Sequence, residues 1–118
     1  MDVFFTAALV AQDAKSVGDV VVFSNDLYDA DNATVVGTDQ GWCVTTVVGQ
    51  RTECVATFIL SDGSIATQGA VDAAVWESAE ITVPVTGGAG AYRGTSGEVR
   101  VKRLPDEAHQ FAFTFDLD

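Results

Sequence analysis

Near the C-terminus, Phe111, Phe113, Phe115 and Leu117 alternate without a break with Gln110, Ala112, Thr114 and Asp116. A period of two places the first set on one face of an extended strand and the second on the other, so this segment must bury one face and solvate the other. The same period recurs along the chain between clusters that accept turn dihedrals: Asp29 to Asn32, Gly49-Gln50, Ser61 to Gly63, Gly87 to Gly90 and Leu104 to Asp106. Strands are expected near 3–11, 19–28, 38–48, 53–61, 64–71, 78–86, 97–104 and 109–117. Eighteen Val and twelve Thr against two Lys and two Pro are the usage of pleated strands, which excludes a helical bundle. With 118 residues the chain reads as one all-β domain spanning 1–118. Short connections favour an up-and-down antiparallel order, and eight such strands are better closed into a small barrel than left with open edges.

Charge and composition remove several classes of function. Seventeen Asp and Glu against six Lys and Arg leave a net charge of −11, which repels phosphate backbones and anionic headgroups; no nucleic acid and no membrane partner is expected. Apolar runs such as Val20 to Phe23 are far shorter than the roughly 20 residues of a spanning helix. Met1 to Val10 has no basic start and contains Asp2, so it does not read as a leader. The expectation is a cytoplasmic protein, with the mature form of an exported one as the alternative. Much of the acid falls in turns or at the terminus, at Asp29, Asp31, Asp106 and Asp118, where it serves solubility. His109 reads as an ordinary residue opening the last strand. With one His and two Cys there is no metal cluster. The Gly87, Gly88 and Gly90 run precedes a strand rather than a helix, so it reads as a tight turn with positive φ and not as a phosphate cradle. Neither a metal nor another cofactor is expected.

The pleat also sorts candidate partners and site residues. On 53–61, Cys54, Ala56, Phe58 and Leu60 share one face and Val55, Thr57 and Ile59 the other. A strand that is apolar on both sides needs an outer cover, which implies a homo-oligomer, dimer or trimer. A hairpin turning at Val48-Gly49 places Cys43 directly opposite Cys54, as a cross-strand disulfide or as two small packing residues. Asn25 shares a face with Val21, Phe23 and Leu27, so an inward amide there must find a partner, a water or a ligand oxygen.

Four segments resemble a known family. Gly18 to Asp29 (GDVVVFSNDLYD) is similar to the opening signature of the allene oxide cyclases. Val85 to Gly94 (VTGGAGAYRG) resembles the glycine-rich segment they share with plant dirigent proteins. Gly41 to Val44 (GWCV) and Ser61 to Gly69 (SDGSIATQG) fall between them in the family's order, and the resemblance covers about residues 17 to 117. It implies an eight-stranded antiparallel up-and-down barrel with an apolar lumen open at one end, usually in a homo-oligomer. Carried over residue by residue, it implies Phe23 against the substrate and Asn25 and Cys43 as the catalytic pair. Val3 to Ser16 contains no Glu, Asn or Pro, where the allene oxide cyclases draw further site residues, so the parent reaction is not what the resemblance implies.

Better suited is the bacterial branch of natural-product cyclases, which hold an apolar conjugated molecule, polyketide-like or derived from a fatty acid, in a reactive fold. Ring closure there includes intramolecular cycloaddition. Tyr28, Phe58 and Trp76 are then candidate walls, Thr45 a polar point, and Asp39, on the Cys43 face, the acidic candidate that dirigent proteins suggest. Tyr92 and Trp42 are weaker candidates, Trp42 because its parity opposes that of Cys43. The alternative is a dirigent-like protein that steers a reactive intermediate without catalysis. Turnover is expected to survive EDTA and to need no added nucleotide; loss of activity on chelation, restored by a metal, would overturn this.

Overall fold

The computed structural model describes residues 2–9, 16–31, 33–77, 79–105 and 110–118. The alternating segments form β1 (Asp2–Ala8), β2 (Val20–Tyr28), β3 (Val35–Val47), β4 (Arg51–Leu60), β5 (Gly63–Asp72), β6 (Ile81–Gly90), β7 (Gly97–Arg103) and β8 (Gln110–Leu117). Each pairs antiparallel with the next, and β8 pairs back onto β1 to close an eight-stranded up-and-down barrel. On β8 the aromatic set points inward, with Phe111, Phe113, Phe115 and Leu117 all buried. No helix among the described residues is long and apolar enough to cross a membrane. The readings of His109 and Asp106 lie outside the described residues.

Two parts of the structure differ from the sequence expectation. The glycine run is strand, not turn: Gly87, Gly88 and Gly90 of β6 pair with Ala66, Ile65 and Gly63 of β5, and of the three only Gly90 has a positive φ, 64°. The chain reverses later, at residues 91–94, and a side chain at Gly88 would collide with the carbonyl oxygen of Tyr92 in that turn. Close approach, more than positive φ, is what glycine serves there. The second difference is a 3-10 helix, Ala73–Glu77, where only a connection was expected. Asp72 starts it by accepting the Ala74 N–H at 2.9 Å, and the Ala73 N–H donates to the Gln50 carbonyl at 2.8 Å.

This short helix sits where the barrel wall parts. The β5–β6 ladder runs from Gly63↔Gly90 only to Thr67↔Val85, and the next residue of β6, Pro84, has no N–H to continue it. Beyond that point β5 is paired with β4 and β6 with β7. Opposite, the described pairing of β1 with β2 is confined to Thr6↔Tyr28. Both seams widen the barrel at the end carrying the 3-10 helix. At the other end Leu27, Ile65, Val85, Phe115 and Leu117 fill the interior. Phe58 meets the edge of Phe115 at 4.9 Å between centroids.

The outer face keeps the apolar stripe that the parity predicts. Val22, Trp42 and Val55 stand in one row across β2, β3 and β4, with Val22 75% and Trp42 42% exposed, and Ile59 lies near them on β4. The adjoining row of Ser24, Gln40 and Thr57 carries no charge. In a chain of net charge −11 these two uncharged rows, flanked by Asp26 on one side and Glu53 on the other, are where two copies can approach with least repulsion. Sedimentation at micromolar concentration is expected to give a multiple of 12.4 kDa, and Trp42→Glu to return the chain to that mass. A wild-type monomer would show that no second copy covers the stripe.

Candidate functional site

Because the seams widen one end and bulky side chains fill the other, the lumen is a cavity closed at its floor. Its volume is about 440 Å³, within the range of small-molecule sites. Space for it comes from small inward residues on neighbouring strands: Gly41 of β3 lies between Phe23 of β2 and Ala56 of β4 in the ladder. A side chain at Gly41 would strike both the Phe23 ring and the backbone of Val55. Across the lumen stand Phe111 and Phe113. The 3-10 helix covers part of the mouth with Val75 and Trp76. Trp76 meets Phe111 edge-on, with centroids 5.0 Å apart and planes at 82°. The Arg103 guanidinium donates to the Trp76 carbonyl at 2.6 Å, which ties the cap to β7.

Into this apolar chamber the pleat delivers one strongly polar pair. Asn25 and Asp39 are direct cross-strand neighbours on β2 and β3, and the Asn25 Nδ2 donates to Asp39 Oδ1 at 3.0 Å. Asp39 is only 2% exposed and is followed in the ladder by Phe58. Burial raises its pKa above the usual aspartate value of 3.8, while the hydrogen bonds from Asn25 oppose the rise. Among the described residues that line the cavity, Asp39 is the sole ionisable group. Hydroxyls add further polar atoms: Thr67 Oγ1 donates to the Ala56 carbonyl at 3.1 Å, Thr52 Oγ1 lies 3.3 Å from Cys54 Sγ, and Thr45 is buried.

Of the residues singled out in the sequence, Phe23, Asn25, Asp39, Cys43, Thr45, Phe58 and Trp76 line this cavity. Tyr28 does not. It ends β2 beyond a register shift at Leu27/Tyr28, and its parity is opposite to that of Asn25 and Leu27. Trp42 faces outward, as parity requires, and Tyr92 lies in the turn after β6, where burial first and Asp62 beside it second raise its phenol pKa.

Cys43 needs a correction as a hydrogen-bonding thiol. It pairs with Cys54 in register, the Cα atoms 4.1 Å apart, and the two form a disulfide, so the lumen wall there offers no S–H. Thr52 and Thr67 were missed, although each shares a face with residues already assigned inside, Thr52 with Cys54 and Thr67 with Ile65. Val71, Ile81 and Val83 were missed as well, although Val71 shares the face of Ile65 and Thr67, and Ile81 and Val83 alternate with Thr82 and Pro84.

The chain is thus a closed eight-stranded barrel with one open end, an apolar lumen and a buried amide–carboxyl pair. A family model for the allene oxide cyclase barrel like domain matches residues 3–115, and the chain belongs to that family. Among solved structures it is similar to a pyocyanin demethylase, with 24% identity, TM-score 0.77, and 100% of this chain and 98% of that one covered. It is also similar to AbnU, an exo-specific intermolecular Diels-Alderase, with 21% identity, TM-score 0.74, and 98% and 96% covered. A third is a pterocarpan synthase dirigent protein, with 16% identity, TM-score 0.80, and 99% and 86% covered. At these identities the likeness is one of fold.

The raised Asp39 pKa has a stability consequence of definite sign. The unfolded chain releases this proton near 3.8 and the folded chain only at higher pH, so the folded state loses stability as pH rises through that interval. Asp39→Asn removes the titrating group and keeps an oxygen to accept from Asn25. Its melting temperature is expected to match wild type below pH 3.8 and to exceed it at pH 7 to 8 by on the order of a few degrees. A neutral-pH loss of stability in the variant would contradict this assignment.

Proposed function

We propose that the chain is a cyclase or isomerase that folds an apolar conjugated small molecule in its lumen for stereocontrolled ring closure, without metal or nucleotide. The observation that carries the reading is an apolar cavity, closed at its floor, with one buried amide–carboxyl pair set among aromatic walls. Holding a flexible polyene against Phe23, Phe58 and Phe113 removes conformational freedom before the barrier is climbed. The Asn25 amide has two N–H groups and donates one to Asp39, which leaves the second to polarise a ligand carbonyl as electron density moves. A cycloaddition converts two π bonds into two σ bonds and neither gains nor loses atoms. It therefore asks the protein only for shape and an oriented dipole. Likeness to a Diels-Alderase supports this reading.

A second reading, a dirigent-like protein that steers a reactive intermediate, is favoured by the likeness to a pterocarpan synthase dirigent protein. Incubation with a linear polyene precursor separates the two. A cyclase accelerates consumption in proportion to protein concentration, whereas a steering protein alters product ratios at an unchanged rate. Under the cyclase reading Asn25→Ala is expected to lower turnover per folded molecule by on the order of 10- to 1000-fold. Because it also strips Asp39 of its partner, the folded fraction must be measured alongside. Unchanged turnover per folded molecule would leave Asn25 a structural residue only.

A further inference from the structure

The identity of the lumen's only ionisable group narrows the class of ligand, on the reading above that the lumen is the ligand site. Among the described residues, none of those lining the cavity is Lys, Arg or His. The chain's cations are elsewhere: Arg51, Arg93, Arg100 and Lys102 are exposed, and Arg103 is engaged by the Trp76 carbonyl. Lys15 lies outside the described residues. Asp39, 2% exposed, therefore has an amide for a neighbour and, among the described residues that line the cavity, no cation. A buried carboxylate without a counter-charge is costly, and a ligand that brings one recovers the deficit on binding. The Asn25 N–H donates to the carboxyl oxygen, and donation of this kind favours the ionised form over the neutral acid.

Two further observations point the same way. The side chains around Asp39 are π-rich: Phe58 is its cross-strand neighbour and meets Phe113 at 5.5 Å, while Phe23, Phe111 and Trp76 complete the aromatic lining. Aromatic faces attract cations, most strongly where water is excluded. The whole molecule, at −11, concentrates cations around itself and repels anions from the mouth. We infer that the lumen takes a conjugated ligand bearing a delocalised positive charge, seated with that charge between the Asp39 carboxylate and the aromatic walls. Such a ligand is apolar enough in its skeleton to fill the cavity. Its charge supplies Asp39 with the counter-charge that no described residue lining the cavity provides.

The test compares two probes of one ring skeleton, N-methylacridinium and neutral acridine, by fluorescence titration at pH 8 in 0.5 M NaCl, where attraction to the outer acidic surface is screened. Wild type is expected to bind the cation at least 10-fold more tightly, and Asp39→Asn to abolish that preference while still binding acridine. A measurement on wild type alone runs beside the variant: affinity for the cation should fall as pH is lowered through the titration of Asp39. The ladder partners of Asp39, Asn25 on β2 and Phe58 on β4, do not titrate, and neither does any other described residue lining the cavity. Equal affinity of wild type for the two probes, or a preference that survives Asp39→Asn, would overturn the inference and leave the lumen as a ligand site. Failure of both probes to bind would count against the lumen reading itself.

Discussion

Closure of β8 onto β1 is the constraint from which the rest follows. Seven consecutive residue pairs, from Asp2↔Asp116 to Ala8↔Gln110, join the two ends of the sheet in register. Once the ring is closed, every strand has an inside and an outside, and a slip of one residue at this seam would turn Phe111, Phe113 and Phe115 out into water. Each buried phenylalanine contributes on the order of 2 to 3 kcal/mol, so the alternation on β8 fixes the register of the closure strongly. Parity then propagates around the ring. It brings Asn25 opposite Asp39 and Cys43 opposite Cys54, and it sends Val22 and Trp42 outward.

A barrel of eight strands is only just wide enough for its interior side chains, so an open cavity requires a departure from uniform filling. Here the departure is divided between two features. On β3 and β4, Gly41 and Ala56 leave room that larger residues would occupy, and at the wide end the β5–β6 ladder stops before Pro84. The proline ends the ladder chemically, because it has no N–H. The 3-10 helix then spans the gap, held by Asp72 at its start and by Arg103 at its Trp76 carbonyl. Floor and mouth thus differ in kind. The floor is close apolar packing, Phe115 among Leu27, Ile65, Val85 and Leu117, and the mouth is a short helix on a few polar contacts, the part of the structure expected to open most easily.

The barrel was legible because its signals are local and repeated. Alternation marks the strands, and turn residues mark most of the reversals. The Cys43–Cys54 pairing was legible too, since one hairpin turn fixes it. What escaped was tertiary. The strand character of Gly87 to Gly90 depends on β5 lying alongside, and glycine alone reads as turn. The 3-10 helix depends on Asp72 and on a neighbouring loop carbonyl, neither of which has a periodic signature. Tyr28 was placed inside on its aromatic character, against its own parity. Within the site, parity assigned Asn25, Asp39 and Thr45 correctly to the lumen face. The bond between Asn25 and Asp39 required the register of two strands separated by a six-residue connection, which the strand bounds near 28 and 38 did not fix.

The Asn25–Asp39 pair is better understood as one unit than as two site residues. An aspartate at this depth is less favourable to the folded state than an asparagine of the same shape, and its raised pKa expresses that penalty. Asparagine would accept the same hydrogen bond from Asn25 without carrying a charge. Thermodynamic stability therefore gives no reason for a carboxyl at position 39. A reason does exist if the carboxyl completes its interactions only when something enters the lumen: Asn25 holds one oxygen in place, Phe58 flanks the strand position beyond it, and among the described residues the cavity wall contains no competing cation. A group that is costly when the site is empty and satisfied when it is occupied converts its own burial penalty into discrimination between ligands. The barrel supplies the rigid frame that keeps Asp39 from relaxing toward solvent, and in this way the closure set by β8 reaches the chemistry of the lumen.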